Sequence, residues 1–151
     1  MKTTQAEWDR RFLRLALEVR SWVKGSDLGV GAVIVDADRR PVSFGYSGLP
    51  RGMCDDTPLL TDPEFKDRHM VHAELNAILN ASGPLRNCTI YVTKAPCAQC
   101  CSAIIQSGIT RVVAPHPDDG RWKANQAAGR MALREAGVQW QGTKSLEVEG
   151  L

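Results

Sequence analysis

The sequence predicts an α/β fold of three layers, in which a mixed sheet of about five strands lies between helices. Short β-branched runs alternate with segments whose apolar residues recur at helical spacing. The first two strands are joined by a short polar connection, which predicts an antiparallel hairpin. The later strands are separated by helices, which predicts parallel strands whose right-handed crossovers place helices on both faces of the sheet.

The N-terminal half supplies one helix and the hairpin. Apolar side chains three or four residues apart predict a helix over residues 7–24. The run VGAVIVD predicts a strand over residues 30–36, and PVSFGYS predicts a second strand over residues 41–47. Residues 48–69 are rich in Pro, Gly and Asp without convincing periodicity. We expect an irregular loop there, and loops of that length in compact domains are often functional.

The C-terminal half alternates helix and strand. Glycine or a Gly-Pro pair follows each helical segment, as is typical of helix C-termini. The predicted helices cover residues 70–82, about 97–107 and about 121–136, and the predicted strands cover 88–93, 110–115 and 138–141.

Composition limits the class of protein. The 151 residues, 43% hydrophobic and 24% charged, suit one domain over residues 1–151. A net charge of +2 argues against a dedicated nucleic-acid binder, although a small anionic ligand needs only one or two local cations. There is no apolar run of the roughly 18 residues that span a bilayer, and no signal-peptide pattern. We therefore expect no membrane association and a cytoplasmic protein, whose five cysteines are thiols or metal ligands rather than disulfides.

Two short motifs carry residues suited to metal chemistry. His72-Ala73-Glu74 and Pro96-Cys97-Ala98-Gln99-Cys100 each lie at a predicted helix N-terminus. Cys97 and Cys100 are three residues apart, so both sulfurs can face one metal. The positive end of the helix dipole favours the thiolate form that zinc requires.

Glu74 is better placed beside the metal than on it. Residues two apart on a helix diverge by about 200°, so His72 and Glu74 serve one site only if that site faces the helix end. Three protein ligands leave one coordination position for water, as in catalytic zinc sites. A neighbouring carboxylate can then take and redeliver protons.

The two motifs together resemble the signature of the cytidine/deoxycytidylate deaminase superfamily, H-x-E followed by P-C-x-x-C. Similarity to the deoxycytidylate (dCMP) deaminase branch extends over roughly residues 28–138. It is carried by VGAVIV at 30–35, GYSGLPRG at 45–52, VHAELNAI at 71–78 and YVT at 91–93. The segment 24–29 departs from the family pattern.

The resemblance implies a cytidine-deaminase-like fold and hydrolysis of dCMP to dUMP and ammonia. It implies Zn²⁺ bound by His72, Cys97 and Cys100, with Glu74 as the proton shuttle. The backbone of Ala73 would contact the pyrimidine. The family is usually homo-oligomeric, here a dimer or hexamer, and dCTP and dTTP are possible effectors.

The loop at 45–52 is the expected substrate loop, with Tyr46 and Ser47 as substrate contacts. Relatives carry asparagine at the position of Ser47, and serine cannot reproduce both functions of an amide. This difference leaves recognition of the sugar open. Arg51 follows the loop and is the candidate for the nucleotide phosphate, because a guanidinium matches phosphate geometry.

Two other functions remain open. The first alternative to dCMP deamination is deamination of another nucleobase compound (cytidine, a free base or tRNA adenosine). The second is a non-catalytic zinc-stabilised module. A structural zinc would need a fourth ligand, for which Cys101 and Cys54 are available. We expect Cys101 to pack in the core and His69 to be a solvated loop residue rather than a second metal ligand with Cys54. For Trp122 we expect packing rather than substrate stacking.

Overall fold

The computed structural model describes residues 1–25 and 29–144. Within these residues, one sheet of five strands is accompanied by five α-helices and a short 3₁₀ helix, Pro58–Thr61. The helices are α1 Gln5–Arg20, α2 Pro63–His69, α3 Ala73–Asn80, α4 Ala98–Ser107 and α5 Lys123–Glu135; the strands are β1 Gly31–Val35, β2 Pro41–Tyr46, β3 Thr89–Val92, β4 Arg111–Pro115 and β5 Gln139–Thr143.

The sheet confirms the predicted mixed topology. Its strand order is β2-β1-β3-β4-β5. Strand β1 pairs antiparallel with both β2 and β3, whereas β3–β4 and β4–β5 are parallel. At the centre Val33 lies opposite Phe44 on one side and Tyr91 on the other. The hairpin and the two strand–helix–strand units therefore form as the sequence predicts.

Helices cover both faces of the sheet, but not in the way predicted. Helix α1 packs on one face, with Leu13 and Val19 buried near Val33 and Tyr91. Helices α3, α4 and α5 share the other face. Because β3, β4 and β5 follow one another in one direction, crossovers of the same hand place α4 and α5 on the same side. The expectation that crossover helices cover both faces was wrong, and α1 forms the third layer.

A buried ion pair fixes α1 against the sheet. The Asp9 carboxylate accepts two hydrogen bonds from the Arg111 guanidinium, at 2.8 and 2.7 Å, and one from the Tyr91 hydroxyl at 2.8 Å. Burial alone would raise the pKa of Asp9, but hydrogen bonds from Arg111, Gln5 and Tyr91 bring it below its ordinary value. This network joins α1 to β3 and β4.

Helix α3 is clamped onto the edge strand β2. Gly45 lets the two backbones approach so closely that a Cβ there would lie 2.2 Å from the carbonyl oxygen of Ala73. The side-chain amides of Asn76 and Asn80 donate to the free edge of β2, at the carbonyls of Tyr46 (2.7 Å) and Phe44 (3.3 Å). These contacts fix the start of α3, and they also occupy acceptors that an unpaired edge strand would expose.

The segment 48–69 is more ordered than predicted. It contains the 3₁₀ helix and α2. The missed signal is Asp62-Pro63-Glu64, in which Asp62 is the N-cap, its carboxylate accepts from the Glu64 amide at 3.0 Å, and Pro63 occupies the first helical position. Helix α3 also starts later than predicted, at Ala73 rather than residue 70. None of the helices in the described ranges has the length and apolar character that membrane crossing requires.

Candidate metal centre and substrate cavity

His72 is the N-cap residue of α3 and projects away from the helix end. Its backbone is extended, with φ −67° and ψ 152°, and its side chain makes no capping hydrogen bond. The imidazole is therefore free to serve another group. Its Nδ1 atom lies 3.4 Å from the Cys97 Sγ atom and 3.5 Å from the Cys100 Sγ atom.

Cys97 has the same position on α4 that His72 has on α3. It is the N-cap residue, and its Sγ accepts from the amide of Cys100 at 3.5 Å. Two helix N-termini thus meet at three ligand atoms, which all lie within 4.8 Å of one another. The prediction that the site faces the helix ends is confirmed by this arrangement.

The three atoms fit a tetrahedral zinc ion. Zinc–sulfur bonds of about 2.3 Å and zinc–nitrogen bonds of about 2.0 Å place sulfur and nitrogen roughly 3.6 Å apart in tetrahedral geometry. The observed 3.4 and 3.5 Å agree with that spacing. A hydrogen bond from Cys100 lowers the pKa of Cys97 to about 4, while the pKa of Cys100 is raised by the same contact. Cys97 therefore offers the thiolate that zinc binds.

The remaining cysteines lie apart from this cluster. Within residues 1–25 and 29–144, the candidate metal ligands are His72, Cys97 and Cys100. Cys101 belongs to α4 and is buried in the core, as predicted, with its sulfur facing Gly129 of α5. Cys54 is exposed, and its Sγ lies 3.7 Å from the carbonyl oxygen of Asp56. His69 is also exposed and packs against Phe65 at the end of α2.

Glu74 lies in the first turn of α3 and is only 4% exposed. Burial raises the pKa of its carboxyl group. Glu74 can therefore hold a proton at a higher pH than an exposed glutamate can. It lines the same cavity as His72 and Cys97. We refer to His72, Cys97 and Cys100 together as the metal group. A buried carboxyl group beside such a set of three ligands is suited to proton transfer.

The cavity in front of these residues has a volume of about 270 Å³. Its wall is built from every layer of the fold, since it draws on the ends of α1, β2 and β3, on α2, and on the starts of α3, α4 and α5. Besides His72, Cys97 and Glu74, the lining includes Val30, Ser47, Met70, Lys94, Ala95, Trp122 and Gln126, with Lys24, Lys66, Asp67 and Arg121 among its charged residues.

Two exposed ion pairs involve residues that line the cavity. The Arg121 guanidinium donates to both carboxylate oxygens of Asp67, at 3.0 and 2.7 Å, and joins the start of α5 to α2. The Lys24 ammonium donates to Asp55 at 2.6 Å. These pairs are exposed and hence weak, but each links a segment that lines the cavity to a neighbouring one.

The structure brings only part of the predicted substrate set to the cavity. Ser47 lines it, although its hydroxyl already accepts from the Val30 amide at 3.0 Å. Ala73 is fully buried at the start of α3. Arg51 is not among the lining residues, because its guanidinium donates to the Asn80 side chain at 2.9 Å. Tyr46 also lies outside, with its ring edge-on to Trp22.

Three lining residues were not predicted as part of the site. Trp122 precedes α5 rather than lying within it, and its ring meets that of His72 edge to face at 6.0 Å. Lys94 and Gln126 flank the loop that leads to Cys97. Lys94, two residues before Pro96, has a sequence position that could have drawn attention; for Gln126, one turn after Trp122, the sequence gives no signal.

Known proteins are similar to this chain in sequence. Residues 6–115 match the cytidine and deoxycytidylate deaminase zinc-binding region. A deaminase of Aliivibrio fischeri, described as uncharacterized and located in the luxG 3′ region, is 37% identical over 89% of this chain and 92% of its own. Human deoxycytidylate deaminase is 35% identical over 87% of this chain and 77% of its own.

The fold matches as well. The apo crystal structure of the dCMP deaminase from cyanophage S-TIM5 superposes with a TM-score of 0.73, covering 93% of this chain and all of that one at 22% identity. The family match spans the hairpin, both metal-ligand motifs and β4, and the ligand atoms meet as zinc requires. The chain therefore belongs to the cytidine and deoxycytidylate deaminase family.

Proposed function

We propose that this protein is a zinc-dependent hydrolytic deaminase that converts dCMP to dUMP and ammonia. The observation that carries the proposal is the meeting of His72, Cys97 and Cys100 beside the buried Glu74, at the base of a cavity. The relatives described above as deoxycytidylate deaminases support the choice of substrate.

Zinc would be held by His72 Nδ1 and by the sulfurs of Cys97 and Cys100. Three protein ligands suit catalytic zinc, since structural sites are normally closed by a fourth. When bound, the metal supplies the Lewis acidity that makes water nucleophilic near neutral pH.

Glu74 moves the protons. Its carboxylate takes a proton from the attacking water and delivers it to N3 of the pyrimidine, and a second transfer reaches the departing amino group. A C4–O bond forms, the C4–N4 bond breaks, and ammonia leaves. The raised pKa of Glu74 suits both roles, because a group that must accept and release protons works best when its pKa lies near the working pH.

The base and sugar are held by backbone and loop groups. The Ala73 amide is the proposed contact to the pyrimidine, because it belongs to the first turn of α3, where amide groups have no acceptor within the helix. Ala73 is fully buried and is not among the residues that line the cavity, so this contact requires the base to reach the helix end between His72 and Glu74. Ser47 lines the cavity, but its hydroxyl also donates to the Val30 carbonyl at 3.3 Å. We therefore expect Ser47 to contribute less to sugar recognition here than an asparagine at the same position contributes in relatives.

Lys94 is a better phosphate ligand than Arg51. It is half-buried in the cavity wall, and within the described ranges it forms no hydrogen bond or ion pair. Lys94→Gln should raise the KM for dCMP about tenfold, a typical value for a charge-assisted contact, and leave that for deoxycytidine nearly unchanged. Arg51→Gln is the matched comparison. If it has the larger effect, the phosphate lies at Arg51.

A substrate panel tests the function. We expect the zinc-loaded protein to release ammonia from dCMP faster than from CMP, deoxycytidine or cytosine. Glu74→Gln should keep the fold and one zinc but lose nearly all turnover, whereas the exposed Glu135→Gln should behave as wild type. No turnover of any pyrimidine nucleotide would refute the proposal. Unchanged properties of Glu74→Gln would support a non-catalytic zinc module.

The engagement of Ser47 with Val30 favours one alternative within the same chemistry. If the sugar contact is weak, a compound with another sugar, or none, is a competing substrate. A preference for cytidine or a free base over dCMP in the panel would select that alternative. Turnover of a tRNA adenosine would instead identify the protein as a tRNA-adenosine deaminase.

We also propose that the protein is a homo-oligomer, a dimer or a hexamer. Support comes from exposed apolar side chains at one edge of the sheet: Trp22, Val42, Phe44 and Tyr46. Sedimentation with and without dCTP or dTTP measures both the assembly and any response to these nucleotides. A monomer at micromolar concentration would refute the oligomer.

A further inference from the structure

Gln126 is a buried polar residue with one unused hydrogen-bonding atom. Its side chain is only 3% exposed and lines the cavity. The amide nitrogen Nε2 donates to the Ala95 carbonyl at 3.0 Å. The amide oxygen Oε1 is buried and has no partner in the part of the chain that the structure describes. Because an unpaired buried acceptor is costly, such an atom calls for a partner from outside the chain.

The orientation of the amide follows from its neighbour. The Ala95 carbonyl is an acceptor, so the atom that faces it must be the donor Nε2. Turning the amide over would place two acceptors against each other. The atom left without a partner is therefore an acceptor, and its missing partner must be a donor.

Gln126 lines the cavity close to the metal ligands. Ala95, which holds its other end, is two residues before the metal ligand Cys97. Trp122, one turn earlier on the same side of the helix, contacts the ring of His72. Gln126 thus sits between two residues that touch or adjoin the metal group.

We infer that Gln126 Oε1 accepts a hydrogen bond from the amino group on C4 of the cytosine ring, and so selects the 4-amino substrate over the 4-oxo product. The inference rests on the proposed function. The amino group is the one donor that a cytosine base offers. In uracil the same position carries a carbonyl oxygen, an acceptor that would face the Gln126 acceptor unpaired. Gln126 would thereby help release the product.

The sugar hydroxyl is the other donor of dCMP, and the test must separate the two. Binding is measured by calorimetry with zinc-loaded protein carrying Glu74→Gln, which binds without turnover. The ratio of the Kd for dUMP to the Kd for dCMP reports selection at C4. Gln126→Met preserves the length of the side chain and removes both polar atoms. It should lower this ratio about tenfold, the usual size of one buried hydrogen bond.

One further variant keeps the test decisive. In Asn125→Ala the neighbouring hydrogen bond from the Ala98 amide to the Asn125 side chain (2.7 Å) is lost without a change in any lining residue, and this variant should preserve the ratio. Melting temperatures identify any variant that is simply unstable.

Three results would overturn the inference. One is an unchanged ratio in Gln126→Met while dCMP is still bound, and another is an equal change in Asn125→Ala. The third is an effect of Gln126→Met that vanishes with the 3′-deoxy analogue of dCMP, which would assign the acceptor to the sugar. If the Glu74→Gln protein binds neither nucleotide and the parent protein turns over neither dCMP nor cytidine, the proposed function fails together with this inference.

Discussion

Gly45 offers a direct test of how the fold positions the metal group. A methyl group at this position would lie 2.2 Å from the Ala73 carbonyl oxygen and 2.3 Å from the Ala77 amide nitrogen. Both neighbours are backbone atoms of α3, so no side chain can rotate away. Gly45→Ala therefore has to move the helix that begins directly after His72.

The size of the shift can be read from the contact distances. Ordinary contact with a Cβ begins at 3.4 Å, so α3 must retreat by about 1 Å. Overpacking of this kind costs about 3 kcal/mol, the upper part of the usual range, because the neighbours are rigid. For a chain of this length that lowers the Tm by roughly 6–12 °C. A zinc site tolerates only about 0.2 Å in its ligand distances, so zinc affinity should fall at least 100-fold.

Two other glycines serve as controls for Gly45→Ala. Gly31→Ala produces an equally close clash, 2.2 Å from the Ala16 carbonyl, but pushes on α1, which carries no metal ligand. It should lose similar stability and keep its zinc. Gly83→Ala meets nothing within 4 Å and should change neither property.

The assay combines zinc titration against a chelator of known affinity with thermal unfolding, for wild type and the three glycine variants. If Gly45→Ala binds zinc as tightly as wild type while it loses as much stability as Gly31→Ala, the proposed dependence of the metal group on the β2–α3 contact is wrong.

Two further predictions concern residues outside the cavity. Asp9→Asn should lose about 3 kcal/mol of unfolding free energy at pH 7, because it leaves the Arg111 cation buried without its partner. Since the folded pKa of Asp9 lies below its usual value, its contribution is complete above the unfolded pKa and is lost as the pH falls through the folded one. The difference between wild type and variant in urea unfolding should therefore shrink below about pH 4; a constant difference would contradict this. Cys101→Ala should keep one zinc per chain and lose about 1 kcal/mol through the cavity it leaves, whereas loss of zinc in metal analysis would make Cys101 a ligand.

The sequence allowed the metal group to be predicted because its determinants are local. His72, Cys97 and Cys100 lie in two short motifs, and each motif begins a helix. Helix starts can be inferred to within a few residues from nearby side chains, although α3 begins three residues later than predicted. The alternation of strands and helices likewise predicted the hairpin and the parallel units, but it did not predict the strand order or the face that the crossover helices cover.

The cavity wall could not be predicted in the same way. Lys94, Trp122 and Gln126 come from a loop, a turn and a helix that meet only through tertiary packing. Arg51 shows the reverse case. Arg51 directly follows the expected substrate loop in the sequence, which made it the candidate for the phosphate. The docking of α3 on β2, however, places the Asn80 side chain within reach of the Arg51 guanidinium, which is directed towards Asn80 and not into the cavity.

Helix α3 gives up a capping hydrogen bond at its N-terminus in order to form the site, and this leads to a last prediction. N-cap positions favour Ser, Thr, Asp and Asn, and replacing these costs about 1 kcal/mol. His72 makes no capping hydrogen bond. His72→Asn should therefore abolish tight zinc binding and yet raise the stability of the zinc-free protein by about 1 kcal/mol. Urea unfolding of both proteins after chelation measures this difference. A zinc-free variant less stable than zinc-free wild type would mean that the imidazole stabilises the fold through packing against Trp122 and not only through the metal.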